Sequence, residues 1–260
     1  FARAVESLQG KYITAEDVGM TVGDIDTMRG ITKYAVGGSN EGGSGDPSGM
    51  TAFGVFQGMK AAYKFAGLGE SLEGVKIAIQ GVGNVGYHLA SYLSAAGAKL
   101  IITDIYPGQV EKVVQEFGAE VVAPDQIYGV DCDIFAPCAL GSALNARTIP
   151  QLKCKVVAGS ANNQLEVDSD GFDLFSLGIV YAPDYAINSG GLINVAAELD
   201  GYNHEKVVAK VSQVYTTIAN ILEISASQGI PPHQAADTLA QQKIEEGKKL
   251  QAASKQVACT

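Results

Sequence analysis

The sequence predicts an α/β fold with a doubly wound parallel sheet. From residue 75 onward, six short runs rich in Val and Ile alternate with helical or turn segments. A glycine-rich turn, GVGNVG, begins at Gly81, directly after the first of these runs and directly before a helix. Continuous apolar runs separated by helices are typical of parallel strands that helices cover on both faces.

The other predicted elements follow in chain order. A short strand at 12–15 and a short helix from Asp24 come first, and residues 51–66 carry apolar side chains at helical spacing. Two longer helices, at about 205–227 and 232–249, end the pattern, with Gly229 between them. The six predicted strands of the main sheet are 75–80, 99–103, 120–122, 133–135, 155–158 and 179–181.

Composition and charge exclude several classes of protein. The chain has 260 residues, of which 47% are hydrophobic, and this is ample for a packed core. Its formal net charge of -10 argues against a nucleic-acid or anionic-membrane partner, and no run approaches the roughly 20 apolar residues of a membrane helix. Four cysteines lack zinc or CxxC spacing, so we expect free thiols, no metal site and a cytoplasmic protein. These cysteines are Cys132, Cys138, Cys154 and Cys259.

One segment, residues 37–49, is rich in glycine and serine and reads GGSNEGGSGDPSG. Such a stretch has few side chains that can pack in a core. It therefore predicts either a hinge or a loop against which something binds closely.

The GVGNVG turn carries the strongest chemical signal. Gly81 permits a tight turn, Gly83 lets the backbone approach a pyrophosphate, and Gly86 allows the helix to touch the strand. The helix predicted at 87–96 presents unpaired N–H groups and the positive end of its dipole, and Asn84 and Val85 complete the turn in front of it. The turn therefore predicts a dinucleotide site.

Asp104 ends the second strand of this unit, 18 positions after Gly86. A carboxylate there would accept hydrogen bonds from the adenosine ribose and would repel a 2′-phosphate, which predicts NAD rather than NADP. The residues that follow, Ile105 to Pro107, offer no basic side chain for such a phosphate. An aspartate that caps a turn would also fit this position.

Other strand ends carry polar or reactive side chains. Cys138 follows the strand at 133–135. No histidine occupies a comparable loop, where it could act as a base for the thiol, so we interpret Cys138 as a residue that lines the binding site and not as a nucleophile. Amide-rich loops at 159–164 and 182–191 follow the last two strands. Their side chains could bind a carboxamide or carboxylate, or they could cap helices, and the spacing leaves both alternatives open.

Taken together, six strings along nearly the whole chain resemble the Glu/Leu/Phe/Val dehydrogenases. The strings are YITAEDVG at Tyr12, GVGNVG at Gly81, CDIFAPCALG at Cys132, TIPQLK at Thr148, GSANNQL at Gly159 and YAPDYAINSGGLINVAAEL at Tyr181. The resemblance implies oxidative deamination of an L-amino acid to its 2-oxo acid and ammonia, with NAD as hydride acceptor.

The same resemblance implies two domains with the active site in the cleft between them. Residues 1–46 would be the remainder of an α/β substrate-binding and oligomerisation domain with the hinge. Residues 47–230 would be the NAD-binding Rossmann domain, and residues 231–260 a C-terminal helix that returns toward the first domain. We expect the complete chain to be a homo-oligomer.

Site residues follow from the matched strings. Asp17 matches the family's catalytic aspartate, which relays protons to and from the amino group. Leu192 and Val195 match apolar positions of the side-chain pocket, so the expected substrate is branched, with leucine as the leading candidate. The residues that match cofactor contacts are Thr51, Cys138, Ala139, Asn163 and Asn188.

One departure from the family concerns its two active-site lysines. Both belong to glycine-rich stretches upstream of the position of Phe1, so we expect an N-terminal part of the first domain to be absent from this sequence. Two alternatives remain open on the sequence alone. The chain could be an aromatic amino acid dehydrogenase, or a dinucleotide-binding module without catalysis.

Overall fold

A computed structural model describes residues 1–17, 19–39 and 42–257 of the chain, with side chains through residue 250. Two parallel sheets organise these residues. The smaller sheet pairs β1 (Thr14–Ala15) with β2 (Ala35–Val36). The larger sheet has six strands in the order β5-β4-β3-β6-β7-β8. They are β3 (Lys76–Gln80), β4 (Lys99–Thr103), β5 (Glu120–Val121), β6 (Ile134–Pro137), β7 (Val156–Val157) and β8 (Val180–Tyr181).

This strand order confirms the predicted doubly wound sheet. All five neighbouring pairs are parallel, and the order reverses between β3 and β6, where chain connections leave in opposite directions. Open α/β sheets bind ligands at such a switch point, outside the carboxyl ends of the strands. The arrangement therefore places the GVGNVG turn, which follows β3, at the expected edge.

Eleven α-helices lie in the described part of the chain. They are α1 (Ala2–Ser7), α2 (Val22–Arg29), α3 (Ser48–Phe65), α4 (Asn84–Ala95), α5 (Pro107–Phe117), α6 (Asp168–Ser176), α7 (Asp184–Ile187), α8 (Gly190–Ala196), α9 (His204–Ser212), α10 (Val214–Gln228) and α11 (Pro232–Val257). Short 3₁₀ turns add Ile127–Gly129, Ile149–Gln151 and Ala197–Asp200. None of the described helices is both long and apolar enough to cross a bilayer.

The side chains of β3 show why the sheet is covered on both faces. Ile77 and Ile79 point into the larger core, which includes α3, α4 and α10. Ala78, between them, belongs to a second core together with Phe135 and Leu174. Successive residues of a strand point to opposite faces, so burial of all three explains the continuous apolar run.

One predicted helix is divided into two helices in the structure. The prediction of one helix over 205–227 is wrong, because α9 ends at Ser212 and α10 begins at Val214. Gln213 serves as the C-cap of α9 and the N-cap of α10, so one residue separates them. The apolar spacing continues across this break, and periodicity alone therefore cannot detect it.

The N-terminal elements form a small unit of their own. Ile25 and Met28 of α2 pack with Ala2 of α1 and Ala35 of β2. A capping box starts α2: Thr21 Oγ1 accepts from Asp24 N at 3.2 Å, and Asp24 Oδ2 accepts from Thr21 N at 2.9 Å. The helix thus begins two residues before the predicted Asp24. The domain boundaries at 46/47 and 230/231 stay a prediction.

Candidate functional site

A cleft of about 550 Å³ lies between the N-terminal unit and the carboxyl edge of the larger sheet. Its lining residues come from the end of β1, the starts of α3 and α4, the loops after β7 and β8, and helices α7 and α8. It brings together six residues that the sequence singled out, although these are spread over nearly 180 positions. They are Asp17, Thr51, Val85, Asn188, Leu192 and Val195.

The GVGNVG turn at 81–86, called the glycine turn below, has room for a side chain at its second glycine but not at its first or third. Gly81 has φ +94°, and a β-carbon there would lie 2.8 Å from the backbone nitrogen of Ala139. A β-carbon on Gly86 would collide with the carbonyl oxygen of Gly81. At Gly83 no atom lies within 4 Å of the same position. Gly81 and Gly86 are therefore needed for packing, whereas Gly83 keeps space free in front of the turn.

The N-terminus of α4 faces this free space without a side-chain cap. Gly83 is its N-cap residue, and it makes no side-chain cap hydrogen bond. Uncapped N–H groups and the positive end of the helix dipole attract an anion. The turn can thus hold a phosphate group close to the backbone.

A second cavity, of about 310 Å³, adjoins the turn on the side of β4. Gln80 and Thr103, at the ends of β3 and β4, line it, and each has a buried side-chain oxygen without a hydrogen-bond partner. Gln80 also donates to the hydroxyl of Tyr128 at 2.6 Å. Buried polar atoms are rarely left unpaired, so these two oxygens give the cavity a polar boundary at the strand ends. Sequence reasoning missed all three residues, because no motif marks them.

Asp104 also lines this cavity and already has two hydrogen-bond partners. Its Oδ2 accepts from the backbone N–H of Val82 at 2.7 Å, and its Oδ1 accepts from that of Tyr106 at 2.9 Å. The carboxylate therefore braces the glycine turn, as the capping alternative expected. An ionised carboxylate has about four lone-pair sites, so capacity for a ribose hydroxyl remains.

Asparagine side chains converge on the nicotinamide end of the predicted site. Asn188 Nδ2 donates to Asn162 Oδ1 at 2.5 Å and to the Ser160 carbonyl at 3.2 Å, and all three residues line the cleft. Asn163, which the matched strings favoured, lines a neighbouring cavity instead and has φ +51°. Its contact with a cofactor stays a prediction, while Asn162 occupies the cleft beside Asn188.

The glycine pair before α8 lets that helix approach α3 closely. A β-carbon on Gly191 would collide with Thr51 Oγ1, and one on Gly190 would collide with the Met50 carbonyl. This close approach holds Thr51 in the cleft, where its hydroxyl donates to the Pro47 carbonyl at 3.0 Å. On α8 itself Val195 is buried, whereas Leu192 remains 70% exposed and available for contact.

Two neighbouring carboxyl groups line the cleft on the N-terminal side. Asp17 is exposed and also borders a largely apolar cavity of about 590 Å³. Glu16 is half-buried, and its Oε2 has no hydrogen-bond partner. Its pKa is raised, mainly because the carboxyl group is buried and to a lesser extent because the Asp46 carboxylate is nearby. Sequence reasoning did not select Glu16, although its position directly before Asp17 at a strand end was a usable signal.

The cysteines have the environment of packed thiols. Cys138 is half-buried behind the turn, near Gly86, and burial raises the pKa of its thiol against the opposing effect of Ser160. Burial also raises the pKa of Cys132 to about 12 and that of Cys154 to about 11. A neutral buried thiol is a poor nucleophile, which agrees with the interpretation that Cys138 is not a nucleophile. Cys259 lies outside the described residues.

No group of His, Cys, Asp or Glu within the described ranges has the arrangement of a metal site.

Comparison with known proteins identifies the family of this site. A model of the Glutamate/Leucine/Phenylalanine/Valine dehydrogenase family matches residues 42–106 and 102–252. The chain belongs to this family. The matched ranges include the glycine turn, the second cavity and every cleft residue except those of the N-terminal unit.

Named relatives within the dehydrogenase family are similar over most of the chain. A leucine dehydrogenase of Bacillus cereus is 56% identical over 243 residues, which cover 93% of this chain and 66% of that protein. An L-tryptophan dehydrogenase of Nostoc punctiforme is 44% identical over 96% of this chain and 70% of its own length. The chain thus spans about two thirds of the length of these dehydrogenases.

Solved structures from the dehydrogenase family share the fold. The crystal structure of L-tryptophan dehydrogenase from Nostoc punctiforme has a TM-score of 0.85 at 43% identity, covering 95% of this chain and 72% of that one. Hetero-hexameric glutamate dehydrogenase from Thermus thermophilus has a TM-score of 0.77 at 20% identity, covering 96% and 68%. The second likeness, at this identity, concerns the fold alone.

Proposed function

We propose that this protein catalyses NAD-dependent oxidative deamination of a branched-chain L-amino acid, leucine first, to the 2-oxo acid and ammonia. The observation that carries the proposal is the convergence of Asp17, Thr51, Asn188, Leu192 and Val195 on one cleft beside the glycine turn. Membership of the dehydrogenase family and 56% identity to a leucine dehydrogenase support it.

The residues present fit NAD in two places. The open position at Gly83 and the uncapped N-terminus of α4 suit the diphosphate. The unpaired oxygens of Gln80 and Thr103, with Asp104 in the same cavity, suit the polar edges of adenosine. Val82 and Tyr106 hold the Asp104 carboxylate in place, so its charge would oppose a 2′-phosphate and favour NAD over NADP.

Each cleft residue then has a chemical task. Bound NAD supplies a nicotinamide ring that accepts the hydride from the substrate Cα. The amide of Asn188, fixed by Asn162, is placed to orient polar groups beside that ring. Asp17 accepts a proton from the substrate ammonium group, and returns one when water releases ammonia from the resulting imine.

The apolar part of the cleft favours an aliphatic side chain. Leu192 and Val195 lie on the same helix, one exposed and one buried, and Ala15 faces them from the end of β1. An apolar wall of this kind distinguishes substrates by about 1–3 kcal/mol per methylene, which ranks related amino acids without excluding any. The similarity to an L-tryptophan dehydrogenase keeps aromatic substrates as the second candidate.

Initial rates with a panel of L-amino acids test the proposal directly. The 260-residue chain and the longest polypeptide that its gene encodes are each assayed with NAD and with NADP. We expect reduction of NAD by leucine, valine and isoleucine, with NADP at least about tenfold less effective. A preference for phenylalanine or tryptophan favours the second candidate. NADH binding without oxidation of any amino acid contradicts the proposal and supports a module without catalysis.

We further propose that the protein is cytoplasmic and forms a homo-oligomer. Three thiols that remain free in the described structure support a reducing compartment. The net charge of -10 argues against a nucleic-acid or anionic-membrane partner. The homo-oligomer is proposed because a glutamate dehydrogenase that shares the fold is hexameric. Light scattering of the purified protein measures its mass in solution.

A further inference from the structure

The glycine-rich segment forms a packed loop in the structure. We call residues 37–39 and 42–45 the glycine loop. A β-carbon on Gly38 would lie 2.5 Å from Asp26 Oδ1, and one on Gly43 would collide with the Gly38 carbonyl. Asp26 also accepts from the backbone and hydroxyl of Ser39, at 2.9 and 2.5 Å. The glycines here allow close packing against α2.

One side chain from a distant part of the sequence holds the glycine loop in place. Glu198 lies in the 3₁₀ turn after α8, and its side chain is only 4% exposed. Its Oε1 accepts from Gly37 N at 2.8 Å, Ser44 N at 2.7 Å and Ser44 Oγ at 2.6 Å. Its Oε2 lies 3.2 Å from Arg29 Nη1. A buried carboxylate with four donors is fully satisfied and therefore fixes their positions.

The 3₁₀ turn that carries Glu198 is also fixed to α8. It follows Ala196 without a gap, and the hydroxyl of Tyr202, just beyond it, donates to Asn194 Oδ1 at 2.9 Å. Asn194 is buried and adjacent to Val195 in the cleft. A displacement of Glu198 would therefore displace the helix that supplies the apolar wall.

The glycine loop touches the same wall from the other side. A β-carbon on Gly37, whose φ is +95°, would lie 3.5 Å from Val195 Cγ1 and 3.8 Å from Glu16 N. Gly37 is therefore wedged between the apolar wall and the strand end that carries Glu16 and Asp17. Its own N–H group is one of the donors to Glu198.

We propose that Glu198 is a positioning residue for the substrate side-chain pocket. By holding Gly37 and Ser44, it sets the separation between Val195 on α8 and the strand end at Glu16. It touches no reacting atom and acts through the glycine loop. This inference rests on the proposed function for its substrate, whereas the anchoring of the loop can be measured without turnover.

Hydrogen exchange of the full 260-residue chain measures the anchoring. In Glu198→Ala, we expect the amides of Gly37 and Ser44 to exchange at least about tenfold faster, because both lose their acceptor. Glu198→Gln retains an amide oxygen for these donors and should exchange at a rate close to that of the unmodified protein. Glu205→Ala is the matched control, since Glu205 is exposed at the start of α9. Unchanged exchange in Glu198→Ala overturns the proposal.

The position of Val195 in the apolar wall can be measured separately by NMR. In protein labelled at valine methyl groups, the Val195 resonance should shift in Glu198→Ala and stay in place in Glu205→Ala. If the loop amides exchange faster while this resonance does not move, the loop is anchored but does not position the wall, and the proposal is wrong.

Steady-state kinetics test whether the apolar wall formed by Leu192 and Val195 determines the substrate preference. We expect Glu198→Ala to raise KM for leucine about tenfold, to change kcat less, and to lower the preference for leucine over alanine. NADH affinity should stay the same, because the glycine turn lies elsewhere. An unchanged leucine preference also overturns the proposal. If no amino acid is oxidised by the unmodified protein, the proposed function fails, and the exchange and methyl data still decide the anchoring.

Discussion

Replacing Asp17 by Asn is expected to lower kcat with L-leucine by about 10²- to 10⁴-fold and to leave NADH affinity nearly unchanged. Asparagine keeps the shape of the side chain but cannot accept the proton of the substrate amino group at neutral pH. The proposed dinucleotide contacts are the glycine turn, the second cavity and the asparagines on the opposite side of the cleft, and none of them is on the strand end of Asp17. Steady-state rates and an NADH fluorescence titration measure the two quantities separately.

Asp173→Asn serves as the charge-matched control, because Asp173 is exposed on α6 and lines neither the cleft nor the second cavity. It should retain full turnover. Equal rates for Asp17→Asn and the unmodified protein would remove Asp17 from the mechanism. A parallel loss of NADH binding would instead show that the substitution disturbs the whole cleft.

The largest effect on cofactor binding is expected from Gly83→Ala. Its methyl group meets no protein atom, so the free energy of unfolding should change by no more than about 0.5 kcal/mol. The same methyl group would occupy the space in front of the uncapped helix, where the diphosphate is proposed to lie. We expect NADH affinity to fall at least about tenfold, or about 1.4 kcal/mol.

Gly81→Ala provides the contrasting variant in the same turn. Its positive φ and the 2.8 Å approach to Ala139 N should cost about 1–3 kcal/mol of folding free energy. Denaturant unfolding and NADH titration together separate the two glycines. If Gly83→Ala binds NADH as well as the unmodified protein does, the diphosphate does not lie against this turn.

Most of the fold could be predicted from the sequence because its signals are local. The apolar run of β3 is buried on both faces, and this produces a continuous pattern instead of an alternating one. Gly81, Gly83 and Gly86 form one recognisable string directly after β3, although the contact that requires Gly81 comes from Ala139 after β6. Such constraints leave a readable mark on one short stretch of sequence.

The cleft was predictable only in part, because its constraints join distant segments. Asp17 lies after a two-residue strand with no periodicity, and only the family resemblance selected it. The partner of the glycine loop, Glu198, is 154 positions from Ser44 and belongs to no local motif. Gln80, Thr103 and Tyr128 acquire their common cavity through sheet order alone.

A crystal structure of the protein with NADH tests the central claim most directly. We expect the diphosphate against Gly83 and the N-terminus of α4, adenosine in the cavity beside Asp104, and the nicotinamide ring in the cleft with Asn188 and Asp17. A nicotinamide ring outside that cleft, or a diphosphate held away from the glycine turn, would contradict it.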